Sequence, residues 1–246
     1  MKKLQFWLYQ LYLWPIFAPL AVLLTGLFGL LTACFSVWVN PSFANRHFAR
    51  TWARILSWLT PMSVTVEGAD NASRDRSYVV VCNHQSQYDI LLVYGFLDLD
   101  FKWVMKQELR KIPGLGIGCE KAGHIFIDRS NPRKARTAVA EALARLGDGV
   151  GVLFFPEGTR SRDGRLLPFK KGAFRLAIEQ QLPLLPVTLV GTRDIMPAKK
   201  LRVFPGHATM IIHPAIETHG MAAEQIADLQ SQAQSVIASV LPQDLR

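Results

Sequence analysis

Between Lys3 and Arg46 the chain carries no charged residue, and this run more than any other feature limits what it can fold into. The run is too long for a helix buried inside a soluble domain, and it is rich in Trp, Tyr and Leu. Rising about 1.5 Å per residue, a straight helix of it would overshoot a hydrocarbon layer of roughly 30 Å. Pro15 and Pro19 offer a place to break. Basic residues flank both ends: Lys2 and Lys3 before, then Arg46, Arg50 and Arg54 after. If the positive-inside rule governs both flanks, both ends lie on one side of the membrane. The expectation is two helices bent near residues 15–19 and embedded from the cytoplasmic face. A single tilted span is the alternative. The basic start and LTAC at 31–34 also fit a signal peptide or lipoprotein cleavage box, although the apolar core of a signal is normally shorter.

After Asn45, RHFARTWARILSWLTPM sets Arg against large apolar residues at helical spacing. It reads as an amphipathic helix, either at a membrane interface or packed on the core. A chain of 246 residues with 50% hydrophobic content has material for one sizeable domain. The formal charge of +9 favours anionic partners such as phospholipid surfaces, nucleic acid or phosphorylated substrates. Cys34, Cys82 and Cys119 lie far apart without ligand spacing, which argues against a zinc site or disulfide framework. The expected division is a membrane-anchoring helical segment over 1–60 and one domain over 61–246.

From about residue 62 strand-like and helix-like runs alternate, the signature of an α/β domain. Strands are expected at 63–68, 78–82, 102–105, 124–128, 151–155 and 184–190, with a later pair around LRVF and ATMIIHP. Helices are expected at 89–96, 132–146, 173–180 and 222–240. Asn131 and Pro132 suit the cap and first turn of the second. A single twisted sheet, mixed and largely parallel and flanked by helices, is the natural packing.

Three polar clusters follow apolar strands. The first, NHQSQYD at 83–89, comes after YVVVC and ahead of ILLVYGFL. On a regular helix or strand His84 and Asp89 would diverge. In a strand–turn–helix passage they can converge, Asp89 holding one ring nitrogen while the other serves as a general base. S-x-x-D from Ser86 to Asp89 is also a capping box, which explains Asp89 without catalysis. The second cluster, GHIFIDRSNPRKA, puts Arg129 just ahead of a helix N-terminus, where anions are favoured. A surface Arg paired with Asp128 is the plainer reading. The third, FFPEGTRSRDG, puts Glu157 and Arg160 at a strand's mouth, with Gly158 permitting close backbone approach. It also reads as an ordinary charged turn. Their recurrence after strands favours a ligand site at the sheet's edge.

Other patterns point away from other chemistries. No GxSxG elbow or HExxH pair occurs, so serine hydrolase and zinc protease readings lack support. GLGIG at 114–118 follows Pro113 rather than a strand and reads as a turn, not a dinucleotide fingerprint. The basic runs KKGAFR and PAKKLR lack interleaved aromatics and read as solvated or membrane-facing surface, not a nucleic-acid site.

Taken together, the clusters resemble the glycerolipid acyltransferase family, in particular the 1-acylglycerol-3-phosphate (lysophosphatidate) acyltransferases. The carrying residues are H-x-x-x-x-D from His84 to Asp89, G-x-x-F-I-D-R from Gly123 to Arg129, and FPEGTRS from Phe155 to Ser161. A V-P-V-like strand is matched more loosely at Leu185, Pro186 and Val187. The resemblance spans roughly residues 79–191. It implies a mixed central sheet and acyl transfer from acyl-CoA or acyl carrier protein to a lysophospholipid hydroxyl, with no metal or cofactor. It makes His84 the base and Asp89 its orienting partner. It gives Arg129, Glu157, Gly158, Thr159 and Arg160, with Lys106, to the acceptor's phosphate and glycerol. A backbone N–H at Gly158 is a candidate oxyanion donor. The implied setting is the inner membrane of a bacterial-type cell, with the site on the cytoplasmic side. Lysophosphatidate and membrane phospholipids are the implied lipid partners, and another lysophospholipid or a lyso-aminolipid is the alternative acceptor.

Overall fold

The structure, a computed structural model, describes residues 3–128, 130–198 and 202–245. Helix α1 (Lys3–Tyr12) passes through a π-helical turn at Leu13–Phe17 into α2 (Ala18–Trp38). Proline removes one backbone donor and crowds the preceding turn, and the wider π turn around Pro15 accommodates both without a break. The expected bend at 15–19 is therefore replaced by continuous helix, and the 32 residues Trp7–Trp38 are long and apolar enough to cross a membrane.

The reversal comes at Asn40 instead. Its backbone is extended and its side chain accepts from Phe43 N at 2.7 Å, capping α3 (Pro41–Ala44). A second π turn, Asn45–Ala49, leads into α4 (Arg50–Leu59). This returning arm runs antiparallel to the first. Phe35 meets Phe48 with ring centroids 4.5 Å apart, Trp52 Nε1 donates to Thr25 Oγ1 at 3.1 Å, and Tyr12 OH donates to Leu59 O at 2.9 Å. The amphipathic segment is thus a packed element. Ala53, Leu56 and Ser57 are buried, and α4 lies against α5 (Tyr88–Phe96). Arg54 Nε donates to Gly95 O at 2.8 Å and Arg50 Nη1 to Asp98 Oδ1 at 2.7 Å, pinning the arm to the end of α5.

The domain's strands are β1 (Met62–Glu67), β2 (Val79–Cys82), β3 (Asp100–Lys106), β4 (Ile125–Ile127), β5 (Val150–Phe154), β6 (Leu184–Val190) and β7 (Gly206–Ile212). They form one sheet in the order β1-β7-β6-β2-β5-β3-β4. Every neighbouring pair is parallel except β6 and β7. The mixed, largely parallel sheet is as expected, with one strand fewer at the end. Arg202–Phe204 forms no strand, Leu201 lies outside the described residues, and Pro205 has no N–H to offer a ladder.

The remaining helices are α6 (Leu115–Lys121), α7 (Pro132–Leu143), α8 (Gly172–Glu179), α9 (Thr192–Ile195) and α10 (Ile226–Ser239). Alternation along β2 divides the core into two layers. Val80 and Cys82 join Leu92, Trp103 and Met210 on one face, while Val79 and Val81 join Phe174, Leu229 and Ile237 on the other.

GLGIG is more than a turn. Gly114 makes the turn, with φ +74°, and the rest starts α6, which packs on α2. A Cβ on Gly29 would stand 2.4 Å from Gly114 O, and one on Gly118 would stand 2.6 Å from Gly29 O. Backbone touches backbone there, the close approach that small residues permit between helices. The apolar arm is thereby fixed to the domain.

Candidate active site

β2 and β5 are parallel neighbours, with Val81 opposite Phe154. Their C-terminal ends therefore lie side by side, and NHQSQYD meets FPEGTRS although they are 73 residues apart along the chain. Asn83 fixes the end of β2 through two bonds to Leu189 of β6: Nδ2 donates to its O at 2.9 Å, and Oδ1 accepts from its N at 2.7 Å.

His84 then leaves the sheet, and α5 does not begin until Tyr88. In that irregular passage His84 Nδ1 lies 2.8 Å from Asp89 Oδ2. The same oxygen accepts from Gln85 N at 2.7 Å and Ser86 N at 2.8 Å, and Oδ1 accepts from Thr192 Oγ1 of α9. Asp89 is fully buried. The capping box forms in part: Asp89 accepts from Ser86 N, while Ser86 Oγ accepts from Tyr88 N at 3.1 Å instead of from Asp89 N, and the same carboxylate holds the imidazole. An acceptor oxygen facing Nδ1 fixes the ring proton there and leaves Nε2 with its lone pair. The ring stacks on Phe155, centroids 3.9 Å apart and planes at 12°, so its orientation is set from two sides.

Glu157 does a different job from the one expected. It is buried, and its Oε1 accepts from His84 N at 2.6 Å while Oε2 accepts from Leu167 N at 3.0 Å. Its carboxylate is occupied by backbone and serves to place the histidine's main chain. Burial pushes its carboxyl up to about 7, outweighing the two amides, which favour the charged form. The N–H of Gly158 donates to Phe155 O at 3.0 Å, closing the turn, so it is not the spare donor that an oxyanion would need. Gly158 adopts φ +73°, and a Cβ there would come within 2.6 Å of Lys170 Nζ.

Beside His84 opens a cavity of about 600 Å³ whose lining includes Phe17, Trp52, Leu91, Trp103 and Phe155. It lies between the N-terminal arm and the sheet, and its walls are overwhelmingly apolar. Lys106, at the end of β3, lines it and pairs with Glu108 Oε1 at 2.9 Å. Gln87 lines it too and accepts from Arg160 Nη1 at 2.9 Å. Thr159 is exposed on the same turn as Arg160. Arg129 lies outside the described residues, as do Lys199–Leu201 of the PAKKLR run. Sequence reasoning brought His84, Asp89, Lys106 and Arg160 to this site and missed Asn83, Gln87, Phe155 and Thr192 as its supports. Asn83, Gln87 and Phe155 stand inside the quoted motifs, whereas Thr192, 103 residues from Asp89, carried no signal.

The acyltransferase family model matches residues 63–190, which contain all of these site residues except Thr192. The 1-acyl-sn-glycerol-3-phosphate acyltransferase alpha of Homo sapiens is 33% identical over 197 residues, 80% of this chain and 70% of that protein. A 1-acyl-sn-glycerol-3-phosphate acyltransferase of Chlamydomonas reinhardtii is 35% identical over 202 residues, 81% of this chain and 59% of its own length. The chain belongs to the acyltransferase family. The crystal structure of the 1-acyl-sn-glycerophosphate (LPA) acyltransferase PlsC from Thermotoga maritima superimposes with a TM-score of 0.68 at 30% identity, covering 91% of this acyltransferase and 95% of PlsC. That match takes in nearly the whole chain, so the fold reading does not depend on the motifs alone.

Proposed function

We propose that this acyltransferase moves a fatty acyl group from a thioester, acyl-CoA or acyl carrier protein, to the free hydroxyl of 1-acylglycerol-3-phosphate, forming phosphatidate. The observation that carries the reading is an imidazole held at Nδ1 by a buried carboxylate while its ring lines a large apolar cavity. The relatives whose names state that reaction support it. His84 Nε2 takes the proton of the acceptor hydroxyl as its oxygen attacks the thioester carbonyl carbon. The tetrahedral intermediate collapses, the carbon–sulfur bond breaks, and the imidazolium returns the proton to the departing thiolate. The products are an ester and a thiol. Asp89 keeps Nδ1 protonated and offsets the charge that develops on the ring. The thioester is already activated, so proton removal and positioning supply the catalysis and no metal or cofactor is required.

Lys106, Arg160 and Thr159 are assigned to the acceptor's phosphate, with Arg129 joining them by family resemblance. Lys106 and Gln87, the partner of Arg160, line the same cavity as His84. Its apolar walls suit fatty chains. The oxyanion needs a donor other than Gly158 N–H. We further assign the exposed face of Trp7–Trp38 to the bilayer, which the exposed Leu23, Leu27 and Trp38 support, and, from the basic flanks, place the domain at the cytoplasmic surface of a bacterial-type inner membrane. The test is an assay of purified protein with labelled acyl-CoA and acyl carrier protein donors against a panel of lysophospholipids. Phosphatidate formation from lysophosphatidate, abolished by His84→Ala in folded protein, is the expected result. A preference for a different headgroup would redirect the acceptor, and absence of any transfer would sink the proposal.

A further inference from the structure

A second concavity, of about 430 Å³, opens between strands β3, β4 and β5 on one side and helices α7 and α8 on the other. Its floor is apolar, built from Ile127, Val139, Phe154 and Leu176. Its rim carries Lys170, Lys171 and Arg175, the charged residues of the KKGAFR run, together with an Arg136–Glu179 ion pair of 2.7 Å. Among the described residues, no carboxylate pairs with Lys170, Lys171 or Arg175 within 4.0 Å. The start of α8 also opens here at Gly172, where a first-turn amide has no partner within its own helix. Such cations beside an apolar trough suit a ligand that is itself divided, part uncharged chain and part phosphate.

The groove adjoins the reaction centre. Val104 and Phe155 wall both the groove and the 600 Å³ cavity, and Phe155 is the ring on which His84 stacks. Lys106 and Gln87 line the cavity but not the groove, so the cations assigned to the acceptor are distinct from those of this rim. Gly158 lines the groove, and its missing Cβ leaves room for Lys170 to lie over the turn. Phe155 is therefore the wall between this groove and the His84 ring, the side from which a donor would approach a fatty chain in the cavity.

Resting on the acyl-transfer reading above, we infer that this groove holds the phosphorylated pantetheine arm of the acyl donor, the chemistry that coenzyme A and a carrier protein share. The arm's uncharged amide chain lies along the trough, and its phosphate meets Lys171, Arg175 and Lys170 at the rim.

The test compares wild type with the double variant Lys171→Glu/Arg175→Glu, both side chains being exposed, and a milder Lys171→Gln/Arg175→Gln pair in case charge reversal disturbs folding. The KM for acyl-CoA, and separately for acyl carrier protein, is expected to rise at least tenfold in the charge reversal, with the KM for lysophosphatidate changed less than twofold. Free 4′-phosphopantetheine should compete with the donor in wild type, pantetheine without the phosphate should compete at least tenfold less well, and the difference should vanish in the variant. A rise confined to the carrier-protein arm would overturn the proposal, since it would mean a protein-docking surface instead of an arm site. An unchanged donor KM, or a rise shared by lysophosphatidate, would also overturn it. A wild-type protein without transfer activity would instead defeat the acyl-transfer reading; displacement of bound labelled acyl-CoA by 4′-phosphopantetheine, which needs no turnover, tests the groove separately.

Discussion

His84 and His124 are both histidines at the edge of apolar layers, and their settings differ in one decisive respect. His84 has a carboxylate on Nδ1, a stacked ring beneath it and a cavity beside it. His124 is buried with both ring nitrogens engaged: Nδ1 accepts from Trp103 N at 3.3 Å, and Nε2 bonds Tyr94 OH. Burial and the nearby Lys102 ammonium push its pKa down to about 3, so it stays neutral. Lys102 is itself buried, 3.6 Å from Asp100, and burial lowers its pKa. A histidine becomes a base by having one nitrogen fixed and the other free beside a substrate; hydrogen bonding at both nitrogens makes it a structural strut.

The most demanding test of this contrast is His84→Ala. Acyl transfer should fall about 10³- to 10⁴-fold, the upper part of the range for lost general-base catalysis, with the protein still folded. Retained turnover would remove the histidine from the mechanism. Asp89→Asn comes next, with a loss of about 10²-fold, because a neutral amide no longer specifies the proton on Nδ1. It should also cost about 1–3 kcal/mol of stability, since a buried acceptor of four hydrogen bonds is disturbed. Wild-type kcat in the Asp89→Asn enzyme would show that the ring is oriented by Phe155 alone.

Glu157→Gln should lower activity about tenfold, because Gln cannot accept from both the His84 and Leu167 amides. Its pH signature is separable from a loss of chemistry. The folded carboxyl holds its proton up to about 7, against 4.5 for an ordinary glutamate. Its stabilising contribution relative to Gln is therefore full below about 4.5 and is lost as pH rises through 7. Thermal unfolding of both proteins in detergent between pH 4 and 8 should show their difference shrinking over that window and then levelling. A difference that grows with pH would mean that the two amides, not burial, govern this carboxyl.

The smallest effect on chemistry belongs to His124→Gln. Stability should drop by about 1–3 kcal/mol through the loss of its two hydrogen bonds. The pH dependence of kcat/KM should stay where it is. A shifted acid limb in this variant would make His124 part of the titrating machinery and erase the contrast with His84.

Local pattern carried much of the fold. Strand positions followed from apolar runs bounded by turns, and 184–190 is a strand over the full expected range. The apolar arm was legible as helix, but its reversal was not. Pro15 is the usual signal for a break, yet a π turn absorbed it, and the unremarked Asn40 made the turn. GLGIG looked like punctuation because the surface it packs against, Gly26 and Gly29 of α2, lies some 85 residues earlier in the chain. At the site, the motif residues were recognisable one by one, but the partnership of Glu157 with a backbone amide was invisible to any reading of residue types.

Residue order alone was enough to place an uncharged helical arm ahead of an α/β domain, and to put histidine, carboxylates and arginines after its strands. Those features are local: periodicity, turn chemistry and charge spacing act within a few residues. Long-range packing was needed to set β2 beside β5, to close the Asp89 network with Thr192, and to roof an apolar cavity at His84 with the arm. Strand order and helix docking are chosen by burial summed over the whole chain, and no short stretch encodes that sum.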